Sequence, residues 1–267
     1  MNRPVTALIV LCGGLGSRLG PAGRTRQKTM HPVAGTPLLE LVLTQACPAL
    51  PAPAPIRLLT GHRAVDVENA VPGWQQRIDP RIRAVQESEP GAAGVLHLAD
   101  RLPPPVLIIA GNVLLPYTRL LPLLLAQWTR DRRPIAVGSR RWRTESHHTL
   151  TPSGDTVASW HRTPYRDDGA FEVVDSYLIT PQVLALMRTG PEPISHTRAL
   201  AALTPHRAVG FAEFTGDWLH VQTPADLTLT PSRKALLCPP PASPSSSSSP
   251  DPPAPGRPPS PPSSPSC

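Results

Sequence analysis

A cluster of glycines and two basic residues near the start of the sequence could bind phosphate groups. The apolar run from Ala7 to Leu11 indicates a buried strand. Three closely spaced glycines follow it: Gly13, Gly14 and Gly16. Arg18 comes shortly after the last of them, and Lys28 follows one short segment later. Main-chain amides of a glycine-rich turn can bind phosphate oxygens, and two nearby cations suit a triphosphate that releases pyrophosphate.

The spacing excludes three other glycine motifs. A Walker A loop needs a Lys-Ser or Lys-Thr pair directly after its last glycine, and none follows here. The dinucleotide-binding pattern would need a third glycine at the position of Leu19. The G-x-S-x-G turn of serine hydrolases is absent as well. Lys28 and Lys234 are the only lysines in an arginine-rich chain, which favours a role for the compact ammonium group of Lys28.

Two longer segments extend the pattern: Gly13-Gly14-x-Gly16-Ser17-Arg18-Leu19 and Lys28-x-Met30-x-Pro32-Val33-x-Gly35-x-Pro37. Together they resemble the signature of the sugar-phosphate nucleotidyltransferases, which include sugar-1-phosphate thymidylyl-, guanylyl- and uridylyltransferases. Gln27 departs from the family, which usually has proline there. The resemblance implies that Arg18 and Lys28 are the catalytic cations. It also implies a set of nucleotide-binding residues around the loop: Leu11, Gly13, Gly14, Gly16 and Ser17.

A second glycine segment, Gly91-Ala92-Ala93-Gly94, follows Gln86 and resembles another element of the family. In the family the glutamine contacts the base, and the first glycine leaves room for the nucleotide. A glutamine amide offers both a donor and an acceptor, as reading a base edge requires. The alternative is that Gln86 only caps the end of a strand. We add Gln86 and Gly91 to the predicted nucleotide-binding residues.

Two positions that hold magnesium in the family carry other residues here. Asn112 and His220 each stand where the family has aspartate, and Gln222 stands where it has glycine. Magnesium prefers carboxylate oxygens to imidazole nitrogen, so the metal ligands remain unknown at this stage. Asp217 is a candidate substitute for the lost carboxylate. The resemblance therefore implies Mg²⁺ as the cofactor, while the residues themselves argue against it.

The predicted acceptor side is altered too. Arg162 lies where the family tends to have the lysine of a Glu-Lys-Pro segment, so the resemblance assigns it to the phosphate of the acceptor. Glu172 is assigned to sugar hydroxyl groups, and Asp175 stands where the family has a small residue. His147 and His148 are adjacent, and adjacent side chains point apart on a strand. We therefore expect exposed loop histidines there rather than metal ligands.

Strands and helices alternate along the first half of the sequence. We predict strands at 7–11, 56–60, 82–86, 106–110 and 135–138, and helices at 38–46, 63–71, 92–102 and 120–128. A hairpin at 149–160, a strand at 171–179, a helix at 181–187, strands at 208–214 and 218–221 and a helix from 224 follow. The alternation predicts an α/β, Rossmann-like, doubly wound and mainly parallel sheet with helices on both faces. The resemblance implies the glycosyltransferase-A-like variant of that fold.

The sequence predicts one domain and a tail. We expect a nucleotidyltransferase domain at 1–237, with a nucleotide half at about 1–139 and an acceptor half at about 140–237. Residues 238–267 are almost wholly Pro and Ser and are predicted to be disordered. The tail is either a Pro-rich ligand for a partner domain or an extension without function.

Composition excludes several other classes of protein. The net charge of +7 suits nucleotides or nucleic acid, but the few aromatic residues do not alternate with the arginines and no nucleic-acid motif is present. The four cysteines form no C-x-x-C pair, which argues against zinc and a disulfide framework. No apolar stretch reaches about 20 residues, so we expect no membrane span and a cytoplasmic location.

The leading hypothesis is transfer of a nucleotidyl group from an NTP to a sugar 1-phosphate, with release of pyrophosphate. An alternative from a different class is a catalytically impaired relative that binds nucleotide or NDP-sugar as a regulatory or partner subunit. Asn112 and His220 motivate that alternative. A third hypothesis keeps the transfer but replaces the sugar with another phosphorylated acceptor. The sequence does not identify the base, the acceptor or the oligomeric state.

Overall fold

The apolar run at the start of the chain forms a central strand of the fold. In the computed structural model, which describes residues 7–87, 91–140, 148–162 and 169–228, Ala7–Leu11 is strand β1. Its side chains alternate between two cores: Leu8 and Val10 pack on one face of the sheet, and Ala7 and Ile9 pack on the other. A strand buried on both faces explains why this run has no polar residue.

The remaining strands are β2 (Pro32–Val33), β3 (Thr36–Pro37), β4 (Ile56–Thr60), β5 (Ile82–Gln86), β6 (Val106–Ala110), β7 (Val113–Leu114), β8 (Ile135–Ser139), β9 (Thr149–Ser153), β10 (Thr156–His161), β11 (Phe171–Ile179), β12 (Gly210–Glu213) and β13 (Leu219–His220). Nine of them form one sheet in the order β5-β4-β1-β6-β11-β8-β12-β10-β9. Two small antiparallel pairs, β2–β3 and β7–β13, lie outside it.

The α-helices are α1 (Pro21–Thr25), α2 (Leu38–Ala46), α3 (Ala64–Glu68), α4 (Val71–Arg77), α5 (Ala92–Ala99), α6 (Tyr117–Asp131), α7 (Pro181–Met187) and α8 (His196–Leu203). Helices α2, α3, α4 and α6 contribute to the core on one face of the sheet, and α5, α7 and α8 to the core on the other. The predicted α/β class with helices on both faces is therefore confirmed.

The sheet is mixed, with its parallel pairs in two blocks. Strands β5, β4, β1 and β6 are parallel to one another, as are β8 and β12. Strand β11 is antiparallel to both β6 and β8, and β10 is antiparallel to β12. A parallel neighbour needs a long crossover, usually a helix. The chain instead enters β11 after the β9–β10 hairpin, so β11 fills the gap between β6 and β8 in the opposite direction.

Several element boundaries differ from the prediction. The helix predicted at 63–71 forms as the two short helices α3 and α4, the helix predicted at 92–102 ends at Ala99, and the strand predicted at 218–221 shortens to β13. The Pro/Ser-rich tail and His147 lie outside the described residues. Within the described ranges, no helix is long and apolar enough to cross a membrane.

Candidate active site

A cavity of about 1060 Å³ opens at the carboxyl ends of β1, β5 and β6. Ligands of open α/β sheets bind at this edge. The predicted nucleotide-side residues that line the cavity are Leu11, Gly13, Gly14, Lys28, Gln86 and Gly91. The opposite side includes three further predicted residues: Asn112, Arg162 and His220. Residues far apart in the sequence, from the glycine loop and from the predicted acceptor half, thus share one cavity.

Five other predicted residues do not line this cavity. Gly16 has a φ of 66° and begins a short 3₁₀ turn, Ser17–Leu19. Ser17 lies in a smaller depression of about 340 Å³ behind the loop, and Arg18 extends toward the cavity wall, where it donates a hydrogen bond to the side chain of Gln222. Glu172 is buried within β11, and Asp217 is exposed.

The side chain of Gln27 fixes the turn that carries Lys28. Gln27 is fully buried, and its Nε2 donates to the main-chain oxygen of Cys12 at the end of β1. Its Oε1 accepts from the Thr29 amide at 2.5 Å and from the Thr29 hydroxyl at 2.6 Å. Its own main-chain N–H donates to Asp66 Oδ2 at 2.7 Å. The residue that departs from the family's proline therefore holds the Lys28 turn against the glycine loop.

Lys28 lies half-buried between charged groups. Removal from water lowers the pKa of its ammonium group, the carboxylate of Asp175 acts in the opposite direction, and the guanidinium of Arg18 lowers the pKa further. The interaction free energy between this ammonium group and an anionic ligand is more favourable than for an exposed lysine, because the ligand replaces solvation that burial has removed.

The carboxylate of Glu87, which was not predicted as a site residue, lies on the nucleotide side of the cavity. A Cβ atom added at Gly13 would lie 2.9 Å from Glu87 Oε1, and one added at Gly61 would lie 3.1 Å from Oε2. The two glycines therefore make room for the carboxylate. Burial raises the pKa of Glu87, and a hydrogen bond from the Gly91 amide partly offsets that rise.

The residues at the family's metal positions do not form a magnesium site. Asn112 Nδ2 donates to the Val221 main-chain oxygen at 2.7 Å. The Val221 main-chain N–H donates to the main-chain oxygen of Asn112 at 2.9 Å. Burial lowers the pKa of His220 to about 4, so its ring is neutral near pH 7. In the described part of the chain, no three His, Cys, Asp or Glu side chains are grouped so that they could hold a metal ion. Asn112 and His220 themselves offer an amide and an imidazole, which do not suit Mg²⁺. The carboxylate of Asp175 lies 3.7 Å from His220 Nε2.

The acceptor side is built on an irregular stretch of β11. Its pairing with β8 is interrupted between Val173 and Tyr177, and Asp175 within that interval has a φ of 25°. This bulge brings the Asp175 carboxylate to the cavity, where it accepts a hydrogen bond from the Tyr177 hydroxyl at 2.7 Å. The Tyr177 ring meets the His196 ring edge to face at a centroid distance of 5.0 Å.

The start of α8 also lines the cavity, through Ser195, His196 and Thr197. Ser195 is the N-cap of α8, since its hydroxyl accepts from the Arg198 amide at 3.2 Å. Burial lowers the pKa of His196 to about 4. These three residues were not predicted as site residues. A serine before an apolar helical stretch was the available signal for the helix start, but nothing in the local sequence indicates that this helix reaches the cavity.

Comparisons with known proteins agree with the geometry of the fold. A family model described as the MobA-like NTP transferase domain matches residues 8–205. No curated protein matches the sequence. Among solved structures, the inositol-1-phosphate CTP transferase from T. maritima is 15% identical, with a TM-score of 0.69 over 89% of this chain and 96% of that chain. A UDP-glucose pyrophosphorylase complexed with UDP-glucose is 14% identical, with a TM-score of 0.69 over 84% and 95%. At such identities these likenesses concern the fold alone.

Proposed function

This chain belongs to the MobA-like NTP transferase family, and from that premise we propose that it transfers a nucleotidyl group from an NTP to a sugar 1-phosphate. An oxygen of the acceptor phosphate attacks the α-phosphorus, the bond from that phosphorus to the bridging oxygen breaks, and pyrophosphate leaves with the bonding electron pair. The observation that carries the proposal is the shared cavity, which joins the glycine loop and Lys28 to Arg162.

Positioning and charge neutralisation account for most of the catalysis in phosphoryl-group chemistry. We propose that Lys28 and Arg18 neutralise the departing pyrophosphate and that the loop amides of Gly13 and Gly14 contact the nucleotide. Gln86 would read the base, and Arg162 would hold the phosphate of the acceptor. We assign no step to a metal ion, because the donors at Asn112 and His220 do not suit one. We place this reaction in the cytoplasm.

A second candidate function rests on a specific contact. Arg18, one of the two proposed catalytic cations, is hydrogen-bonded to Gln222, which in turn contacts His220. If this contact keeps the Arg18 guanidinium away from the departing pyrophosphate, the protein binds nucleotide or NDP-sugar without turning it over. Such a protein would act as a regulatory or partner subunit.

The test is pyrophosphate release by the full chain, with each NTP and dTTP and with pooled sugar 1-phosphates as acceptors. We expect release that requires an acceptor and that falls by about 10²–10³-fold in Lys28→Ala, the range seen when a key electrostatic group is removed. The matched control is Arg119→Ala, which removes an exposed positive charge on α6 and should leave the rate unchanged. Absence of release with every acceptor, together with thermal stabilisation by nucleotide, would favour the binding subunit.

A further inference from the structure

A chain of polar contacts crosses the cavity wall at the position where the family holds its metal. An Arg18 Nη1 hydrogen donates to Gln222 Oε1, and Gln222 Nε2 lies 3.0 Å from His220 Nδ1. His220 Nε2 lies 3.7 Å from Asp175 Oδ2. The four residues come from the glycine loop, the segment around β13, and the bulge of β11, so the contacts connect three separate parts of the chain.

The Gln222 amide is held in one orientation. Its oxygen faces the Arg18 guanidinium, which has only donors, so its nitrogen must face His220. The main chain is fixed as well, since the Gln222 and Thr223 amides donate to Asp226 Oδ2 at 3.0 and 2.8 Å. Gln222 is only 8% exposed. The exposed Arg18 side chain therefore donates to a buried partner whose main chain is fixed.

Two cationic side chains, Arg18 and Lys28, lie in this region together with the carboxylate of Asp175. Arg18 and Lys28 lie close enough to each other for the guanidinium to affect the pKa of the lysine, and both affect His220. Two fixed monovalent cations carry the same charge as one Mg²⁺ ion. A neutral imidazole at 220 adds no negative charge, whereas an aspartate there would face Asp175 and require a cation between the two carboxylates.

We propose that this nucleotide site needs no divalent cation, because Arg18, held by Gln222, and Lys28 together supply the positive charge that a metal provides elsewhere in the family. The inference rests on the proposed function, since it concerns the same nucleotide site. It predicts that the residues at 112, 220 and 222 act together as a replacement for the family's metal site, and are not three independent losses of family residues. The three would then have to be changed together to restore a metal-dependent site.

The experiment is calorimetric titration of the full chain with each of the four NTPs and dTTP, in excess EDTA and in excess Mg²⁺. The nucleotide that binds should do so with a dissociation constant that changes less than about threefold between the two buffers. Gln222→Ala should weaken binding in EDTA by about tenfold, in the range of a charge-assisted hydrogen bond. Gln127→Ala is the matched control. Gln127 lies on α6, is also 8% exposed, and also donates a hydrogen bond, to the main-chain oxygen of Asp155.

Two further variants keep the proposal testable if Gln222→Ala fails to fold. Gln222→Glu retains the size and the contact but neutralises Arg18, so it should also weaken binding in EDTA. Asn112→Asp combined with His220→Asp and Gln222→Gly should bind nucleotide only when Mg²⁺ is present. Binding by the wild type that requires Mg²⁺ would overturn this proposal and leave the transferase standing. Absence of binding by any nucleotide in either buffer would overturn both proposals.

Discussion

At the scale of single residues, Gln27 shows how a buried amide can determine the position of a neighbouring lysine. Its side chain and its main-chain N–H make four hydrogen bonds within the protein, to Cys12, Thr29 and Asp66. None of the partners on the Lys28 turn could be satisfied by proline, which has neither the N–H nor the side-chain amide. The sequence difference from the family is thus a structural link between the glycine loop and the Lys28 turn.

We predict that Gln27→Ala lowers the free energy of unfolding by about 2–3 kcal/mol, because buried donors and acceptors at Cys12 and Thr29 lose their partner. It should also weaken nucleotide binding, since Lys28 loses its support. Gln76→Ala on the exposed side of α4 is the control and should change stability by less than about 0.5 kcal/mol. Urea unfolding of the wild type and the two variants measures both changes in stability. Equal stability for Gln27→Ala and Gln76→Ala would disprove the anchoring role.

Local sequence patterns identify only some of the residues in this cavity. Gly13 closely follows β1 and Gln86 is the last residue of β5, so their place at the carboxyl edge of the sheet could be predicted. Lys28 was predicted from its charge close after the glycine loop. His196 could not be predicted, because its position depends on how α8 packs against elements far away in the sequence. Gln222 was visible as a departure from the family, but its contact with Arg18 bridges about 200 positions. Such a contact leaves no local pattern in one sequence.

At the scale of elements, helix α1 packs against the glycine loop with no space between them. A Cβ atom added at Gly23, in the middle of α1, would lie 2.3 Å from the main-chain oxygen of Gly16. That separation is far inside van der Waals contact, and main-chain atoms cannot move aside as a flexible side chain can. Gly23 therefore allows α1 to set the position of the loop that precedes Arg18.

Gly23→Ala should displace either α1 or the loop, and we expect a loss of about 1–3 kcal/mol in stability, as in other overpacked sites. Nucleotide affinity should fall with it. Gly73→Ala is the matched control: Gly73 also lies in a short helix, but its added Cβ would meet only the flexible end of Arg77. Alanine has a higher helix propensity than glycine, so Gly73→Ala should be neutral or stabilising. Thermal unfolding and nucleotide titration of both variants check this, and a neutral Gly23→Ala would contradict it.

Sequence periodicity located the regular elements better than the irregular ones. The apolar strands β1 and β6 were predicted at their observed positions, because a strand buried on both faces is a continuous apolar run. The bulge of β11 was not predicted, since it depends on the register of β11 against β8. The direction of β11 was missed for the same reason. A strand's own residues do not specify which neighbour it will pair with.

At the scale of the whole molecule, two buried histidines lie on opposite sides of the Asp175 bulge. His220 faces Asp175, Lys28, Asp226 and Arg18, and His196 faces Asp175 and His148. Burial lowers the pKa of each to about 4 from the ordinary 6.5. Both rings are therefore neutral in the folded protein over a pH range in which they would be protonated in the unfolded chain.

Acid should consequently destabilise the fold well above the pH at which carboxylates titrate. Between the unfolded pKa of 6.5 and the folded pKa of about 4, the unfolded state binds more protons at each ring. The free energy of unfolding therefore falls as pH decreases from 6.5 toward 4. Linkage gives about 2 kcal/mol per histidine between about pH 7 and pH 5. Glu87 has the opposite effect on stability. Because its pKa is raised, the folded state binds a proton more readily than the unfolded state, so the free energy of unfolding gains from this group as pH falls. Asp66 and Asp79 have lowered pKa values, and their contribution is lost only below 3.8.

Urea unfolding at about pH 7 and pH 5 measures this difference, and the variants assign it. His196→Gln should remove part of the pH-dependent loss, and His196→Gln combined with His220→Gln should remove more of it. The remainder includes the contribution of His31, whose pKa burial also lowers. The exposed His206 supplies the control, since His206→Gln should leave the wild-type difference unchanged. If the double variant lost as much stability as the wild type, the two rings would not be neutral in the fold. In that case His220 would be protonated beside Asp175, and the 3.7 Å contact between the two side chains would be an ion pair.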